Sequence, residues 1–472
     1  MSIVLRIGVL AGVLGLAGCA ALEIDDNVSE ASSLAREVSG SDARLLRTDE
    51  DRRRARAEVD RALDGPLAAD DAVRIAVAAG PSLQATLFEG AASSAAATQS
   101  ARIPNPVFAF ERLLRRRDGE VEKDIGRVLS FSVFDLLLLP ARMRAAGYQQ
   151  QQLRLRAAGD VVQAAADARQ AWVRAVAAQQ SAAYAEQVKA AADAGAELAR
   201  RMQAVGNFSR LQRAREQAFY ADAVAELARA QQVARAAREA LVRTLGLDAA
   251  QAARLRLPDR LPDLPAAPDD EMVAARTALE QRIDVRMARA DLEYLARQEG
   301  LTRVTSFVDG LHVAGVYKSE TGEPPKKGFE IEMPLPIFDF GDARRAQAEA
   351  TYMAALNRAA LVGSHATSQV RESYGAYRTA YDIARHYRDE VVPLRKSIAE
   401  EMLLKYNGML IGVFDLLADS REQIGSVIQA IEAQRDFWLA DAQLRASLVG
   451  RPIGGAALEM KSAPAAAGGG GH

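Results

Sequence analysis

Proline and glycine punctuate this chain twice in the same order, and that repetition limits its folds more than any other feature. Phe134-Asp135 recurs 204 residues later as Phe338-Asp339, Gly206 recurs 202 residues later as Gly408, and Gly246 recurs 204 residues later as Gly450. A near-constant offset between structure breakers marks a tandem duplication, which has to be settled before a fold is argued. In the first copy a helix is expected over 67–102, ending before "IPNP" because Pro104 and Pro106 cannot continue it. Strands follow at Val107–Leu114 and Val128–Leu136, joined through the charged turn "RRRDGE". Pro140 suits the first turn of the next helix, where a missing N–H costs little. From Ala141 to Val205 there is no proline. Gly147, Gly159 and Gly195 each cost about 1 kcal/mol against alanine, too little to break a helix held by packing. At ~1.5 Å per residue such a segment would reach on the order of 100 Å. "GNFS" (206–209) then reverses the chain into a helix over 211–245.

The second copy begins after the proline-rich "LPDRLPDLPAAP" (257–268). It reads as a helix at 270–301, strands near 303–317 and 328–338, a long helix over 342–406, a turn at "NGMLIG" (407–412) and a helix to Leu448. The expected organisation is therefore a signal segment (1–18), an N-terminal segment (19–66), a first repeat (67–256), a linker (257–269), a second repeat (270–450) and a low-complexity, disordered tail (451–472). The polar residues 20–65 read as a solvated linker or wrapping segment.

Composition excludes several functions. Lys plus Arg total 60 against 62 acids, so no basic excess points to nucleic acid. No P-loop, HExxH or GxSxG motif is present, so no catalytic residue and no cofactor is expected. His312, His365, His386 and His472 have no mutual ligand spacing, so a metal site is not expected. Beyond residue 19 no apolar run approaches the roughly 20 residues of a membrane-crossing helix, which leaves strands as the means of any further membrane contact.

In "GFEIEMPLPIF" (328–338) Phe329, Ile331, Met333 and Leu335 alternate with Glu330, Glu332, Pro334 and Pro336, giving one apolar and one wet face. A soluble sheet gives the same alternation. A membrane sheet must also close, because edge N–H and C=O groups cannot be left in hydrocarbon. The smallest outer-membrane barrels have about 8 strands, so four per chain would require several chains to share one barrel.

The single cysteine, Cys19, is the second membrane indicator. A lone cysteine is ordinarily a small buried apolar group, but this one follows Arg6, an apolar stretch from Ile7 to Leu16 and small residues, the layout of a cleaved export signal. Leu16-Ala17-Gly18-Cys19 resembles a bacterial lipobox, which implies lipid on Cys19; Ala20 in the next position implies, by the same resemblance, sorting to the outer membrane. Two or more acyl chains give stable anchoring where one does not.

Taken together, "AVRIAVAAGPSLQA" (72–85), "PNP" (104–106), "FDLLLLPARMRAA" (134–146), "AVGNFS" (204–209), "QRIDVRMA" (281–288), "PLPIFDFGDARRAQAEA" (334–350), "YNGMLIGVFDLLA" (406–418) and "DFWLADAQLRASLVG" (436–450) resemble, in order, the TolC-type outer membrane efflux protein family in its lipoprotein branch. The resemblance implies a mainly α fold with a membrane β-barrel: a long antiparallel helical coiled-coil tunnel plus four strands per chain, with a 12-stranded barrel formed by a homotrimer. It further implies a lipid-anchored exit duct in the outer membrane, its helical tunnel in the periplasm, docking with a periplasmic adaptor and an inner-membrane transporter. Type I protein secretion is the alternative use of such a duct. A periplasmic adaptor or a non-channel helical periplasmic lipoprotein is the alternative without one, for which two strand pairs would be superfluous.

Asp415 matches the family aspartate that rings the closed inner mouth, where three copies would favour cations. The other reading of Asp415 is an acid stabilising the first turn of a helix, and Asp419 is an equally available acid. The turns Gly206, Asn207, Phe208, Ser209 and Asn407, Gly408, Met409, Leu410, Ile411, Gly412 are the expected adaptor contacts. Two departures from the family pattern stand out. Leu136 follows the first "FD" where the second copy has Phe340-Gly341, and "RLQRA" after "GNFS" lacks the family's frequent aspartate.

Overall fold

The computed structural model describes residues 24–117, 120–268, 282–306, 310–335 and 337–450. The export signal, Cys19, the expected helix start at 270–281 and the C-terminal tail lie outside the described residues. In chain order the elements are α1 (Ile24–Ser39), α2 (Asp49–Ala62), α3 (Ala69–Ala79), α4 (Pro81–Ser100), β1 (Val107–Arg117), β2 (Glu120–Ser132), α5 (Val133–Ala204), α6 (Arg210–Leu245) and α7 (Ala249–Arg254). They continue with α8 (Ile283–Thr305), β3 (His312–Glu320), β4 (Lys326–Glu332), α9 (Asp342–His386), a π-helical turn (Tyr387–Val391), α10 (Val392–Asn407) and α11 (Val413–Val449). No helix among the described residues is long and apolar enough to cross a membrane.

Two compact units divide the chain. The first combines residues 1–31, 87–157 and 285–363, and holds the sheet. Its strand order is β1-β2-β3-β4, antiparallel throughout, so each copy of the duplication contributes one hairpin and β2 pairs with β3 from Asp124↔Glu320 to Ser132↔His312. The register gathers Glu111, Glu122, Asp124, Glu320, Glu330 and Glu332 onto one face. On the other, Phe108–Leu129–Gly315–Phe329 and Phe131–Val313–Ile331 form two adjacent apolar rows. β1 and β4 are the edges, and both carry exposed large apolar side chains, among them Phe108 at 63% and Phe329 at 78%.

The second unit combines residues 32–86, 158–284 and 364–472. Small residues dominate its helix contacts: Ala158, Val161, Val162, Ala165 and Ala168 on α5 are all buried, which lets backbones approach closely. Trp172 is buried and donates its indole N–H to Leu67 O at 2.7 Å. A separate cluster packs Tyr377 and Tyr381 of α9 on Phe437 of α11, with ring centroids 5.5 and 5.7 Å apart. The Tyr381 hydroxyl donates to carbonyls of the proline-rich segment, Pro265 O and Ala266 O, at 3.2 and 3.1 Å.

Several elements differ from expectation. Residues 24–39 and 49–62 are helices rather than a linker. α2 starts on a capping box in which Thr48 Oγ1 accepts the Asp51 N–H and Asp51 accepts the Thr48 N–H. The helix expected over 67–102 breaks at Gly80, because the residue before Pro81 is driven out of the helical region. α5 begins at Val133, not after Pro140, and takes in the first Phe134-Asp135. Ser132 Oγ accepts the Asp135 N–H at 3.2 Å and Leu311 O accepts the Val133 N–H at 2.9 Å, so the first turn is satisfied early and Pro140 lies inside the helix. The second "FD" instead forms a loop, since Asp339 accepts the Gly341 N–H at 2.7 Å and Gly341, at φ +71°, packs on Ser306. The first copy has Leu136-Leu137 where the second has Phe340-Gly341, so it lacks that glycine's freedom, and there the helix runs straight out of the strand. Residues 303–305 are helical rather than strand, β4 ends at Glu332, and the helix expected over 342–406 carries the π turn just ahead of Pro393, whose ring cannot keep α-helical hydrogen bonding.

Candidate functional site

Both expected reversals exist, and the structure brings them together within the second unit. At the first, α5 ends through a glycine-based cap: Asn207 and Phe208 both donate backbone N–H to Met202 O, at 2.9 and 3.2 Å, while Gly206 holds φ +84°. That conformation strains any residue with a Cβ. α6 then starts on a capping box, with Ser209 Oγ accepting the Gln212 N–H at 3.2 Å and Gln212 Oε1 accepting the Ser209 N–H at 2.7 Å. The residue that stands in "RLQRA" in place of the family's aspartate is thus used locally, as a cap.

At the second reversal Gly408, Met409 and Leu410 donate to Leu404 O, Tyr406 O and Lys405 O at 2.9, 3.0 and 2.9 Å. Met409 is the only non-glycine residue of positive φ (+59°) among the described residues. Its side chain is 93% exposed and that of Leu410 76%. Asp415 sits at the third position of α11, where its Oδ2 accepts the Gly412 N–H at 3.1 Å. Glycine has no side chain to return the bond, so this is half a capping box, and Asp415 remains exposed. Asp419, one turn further, is half-buried, with Oδ2 sequestered and without a hydrogen-bond partner among the described residues.

Phe208 is not presented to solvent as the sequence suggested. It is buried with Ala199 and Val413, and its ring lies 5.0 Å from that of Phe414, so it staples the first reversal to the start of α11. Burial of a phenylalanine contributes roughly 1.5–3 kcal/mol, enough to make the paired tips one packed body. Of the expected apolar contacts, Met409 and Leu410 are the ones that stand clear, while Ile411 is half-buried; Gly206, Asn207, Ser209, Asn407, Gly408 and Gly412 are exposed beside them.

Just beyond this staple lies a pair that the sequence did not reveal. Glu216 of α6 is 2% exposed, and Arg421 of α11 places Nη2 2.6 Å from its Oε1. Neither atom is aligned for a hydrogen bond, so the contact is ionic in character. The guanidinium also stacks on Phe219, Cζ to ring centroid 4.4 Å. Gly195 of α5 faces the pair: a Cβ there would come 3.7 Å from both Glu216 Oε2 and Leu417 Cδ2, an ordinary contact distance, so the clasp does not itself demand a glycine. Also near the tip, on α5, Glu197 is lowered to about 2 by hydrogen bonds from Arg200 and Arg201.

A second polar centre lies where the returning helices end. Arg282, wholly buried, grips Asp284 with two bonds of 2.9 and 2.7 Å and donates to Ser447 O at 2.6 Å and Gln369 Oε1 at 3.1 Å. Gly450 caps α11 at φ +89°, and a Cβ there would fall 2.9 Å from Ile283 N. Gly246 caps α6 with the same handedness and abuts Pro81, so both copies close on a left-handed glycine pressed against the start of an earlier helix of the same copy.

No family model and no curated protein sequence matches this chain. Solved structures do. The chain is similar to the CmeC outer membrane channel of Campylobacter jejuni at 15% identity, over 84% of this chain and 85% of that one, with a TM-score of 0.67. For the outer membrane protein VceC of Vibrio cholerae the identity is 14%, the coverage 84% and 96%, and the TM-score 0.66. For the open state of the MtrE outer membrane channel of Neisseria gonorrhoeae the values are 17%, 84% and 89%, and 0.64. At such identities the likeness establishes a shared fold.

Proposed function

We propose, for a chain with the fold of the TolC-type outer membrane channels, that it is the outer-membrane duct of a tripartite efflux system. Three copies close their four-stranded sheets into one barrel of 12 strands, and their helices form the periplasmic tunnel. The observation that carries this is the open sheet: β1 and β4 have free edges, and one face bears two apolar rows without a single acid among the described residues. A free edge in lipid leaves backbone groups unpaired. Copies joined edge to edge remove that cost, and the face carrying the acids becomes the lumen. In this reading Cys19 carries the lipid anchor, the ring of Asp415 carboxylates sets cation preference at the inner mouth with Asp419 behind it, and the exposed Met409 and Leu410 meet a periplasmic adaptor that couples the duct to an inner-membrane transporter.

The test is reconstitution of the full chain. A heat-sensitive trimer on gels together with unit conductance in planar bilayers is the expected result. A water-soluble monomer with the sheet intact would refute it.

A further inference from the structure

The acid-free face of the sheet changes character over one row. Beyond the two apolar rows, toward the hairpin turns, the register sets Phe110–Arg127–Tyr317–Lys327 side by side across all four strands. Tyr317 lies between the two cations, with Arg127 Cζ 5.7 Å and Lys327 Nζ 5.8 Å from its ring centroid. Arg112, Lys123 and Arg116 follow on the same face. All five cations are exposed, and among the described residues none of them pairs with a carboxylate. On the opposite face, among the acids, Lys326 holds Glu320 and Glu323 at 3.4 and 2.9 Å. Alternation has sorted the acids to one side and left the other side cationic.

We infer that this band binds the anionic headgroups of the lipid leaflet at the hairpin turns. The inference rests on the proposed lipid-spanning role of the sheet. One row is two residues, or about 6.6 Å along a strand, so the Arg127–Tyr317–Lys327 row lies directly beside the hydrocarbon-facing rows, at headgroup depth. Tyrosine is suited to that depth, with an apolar ring and a polar tip. A guanidinium and an ammonium held on either side of one ring offer donors to a phosphate, with arginine able to engage two of its oxygens. The protein supplies no countercharge on this face, and an anionic lipid supplies it.

The experiment places the full-length protein in nanodiscs of mixed phosphatidylglycerol and phosphatidylcholine and reads the retained lipids by native mass spectrometry after mild extraction. The wild type is expected to retain phosphatidylglycerol over its bulk share. Arg127→Gln with Lys327→Gln should reduce that preference roughly 25-fold, from about fivefold per cation near a charged surface. Lys318→Gln with Lys326→Gln, on the other face, should leave it in place. Retention at the bulk ratio in the wild type, or equal preference in both double variants, would overturn the inference while leaving the duct intact. Failure to insert into either lipid would overturn both, and co-purification of an acidic protein on this face in place of lipid would also overturn the inference.

Discussion

Replacing Arg282 by alanine should loosen the end of α11 more than any other single truncation in that region. The side chain is wholly buried, and its removal takes the two-bond grip from Asp284, 15% exposed, and the donor from the Ser447 carbonyl that accepts from it at 2.6 Å. Breaking a buried ion pair by deleting one partner costs about 3–5 kcal/mol. An orphaned buried acceptor costs about 1–3 kcal/mol more, but water entering the vacated space offsets part of this, so the expected total stays near 3–5 kcal/mol. Because each ~1.4 kcal/mol is tenfold, local opening should rise by roughly two to three and a half orders of magnitude. Hydrogen exchange read by mass spectrometry on peptides covering residues 441–450 measures this without requiring reversible unfolding of the whole chain. Arg282→Ala with Asp284→Ala should recover part of the loss, since the carboxylate that Arg282 grips is then removed with it, and Arg282→Lys should fall between because an ammonium cannot reproduce the two-pronged grip. Exchange within threefold of wild type in Arg282→Ala would refute the argument that this centre closes the second copy.

Two further outcomes concern the paired tips. Arg421→Met should loosen the tips by about 1–3 kcal/mol, less than a fully buried pair because Arg421 is a third exposed; a disulfide engineered across α6 and α11 should restore the wild-type open probability, and unchanged gating in the reduced Arg421→Met trimer would remove the clasp from the mechanism. Asp415→Asn keeps an oxygen for the Gly412 N–H while deleting the charge, so reversal potentials should move toward lower cation preference with helix content unchanged, and identical potentials would take Asp415 out of the permeation path.

The duplication, the hairpins and both reversals were legible because they are written in local chemistry, in breakers and alternation. Residues 49–62 escaped because "DEDRRRARAEVDRA" buries only Ala55 and Val59, which leaves almost no periodic stripe, although Thr48 three residues before Asp51 was a readable start signal. Pro140 misled because its cost inside a helix is visible in sequence while the compensating Ser132 cap and the Leu311 carbonyl are not both local. The end of the second strand was ambiguous for a related reason: "FDLLLLP" is continuously apolar and fits either period. At the tips, Gly206, Ser209 and Gly408 could be placed from their own chemistry. Phe208 on Val413, and Glu216 against Arg421, join residues about 205 positions apart, and no local pattern encodes such a meeting.

The pairing of β2 with β3 also sets an order of events during synthesis. Asp124 waits for Glu320, so the first hairpin emerges as an apolar ribbon whose inner edge has no mate until most of the chain has been made. Ribbons of that kind invite pairing with the wrong neighbour, and long-range pairing is slow. Folding deferred until both hairpins are present is the regime in which this sequence avoids aggregating with itself.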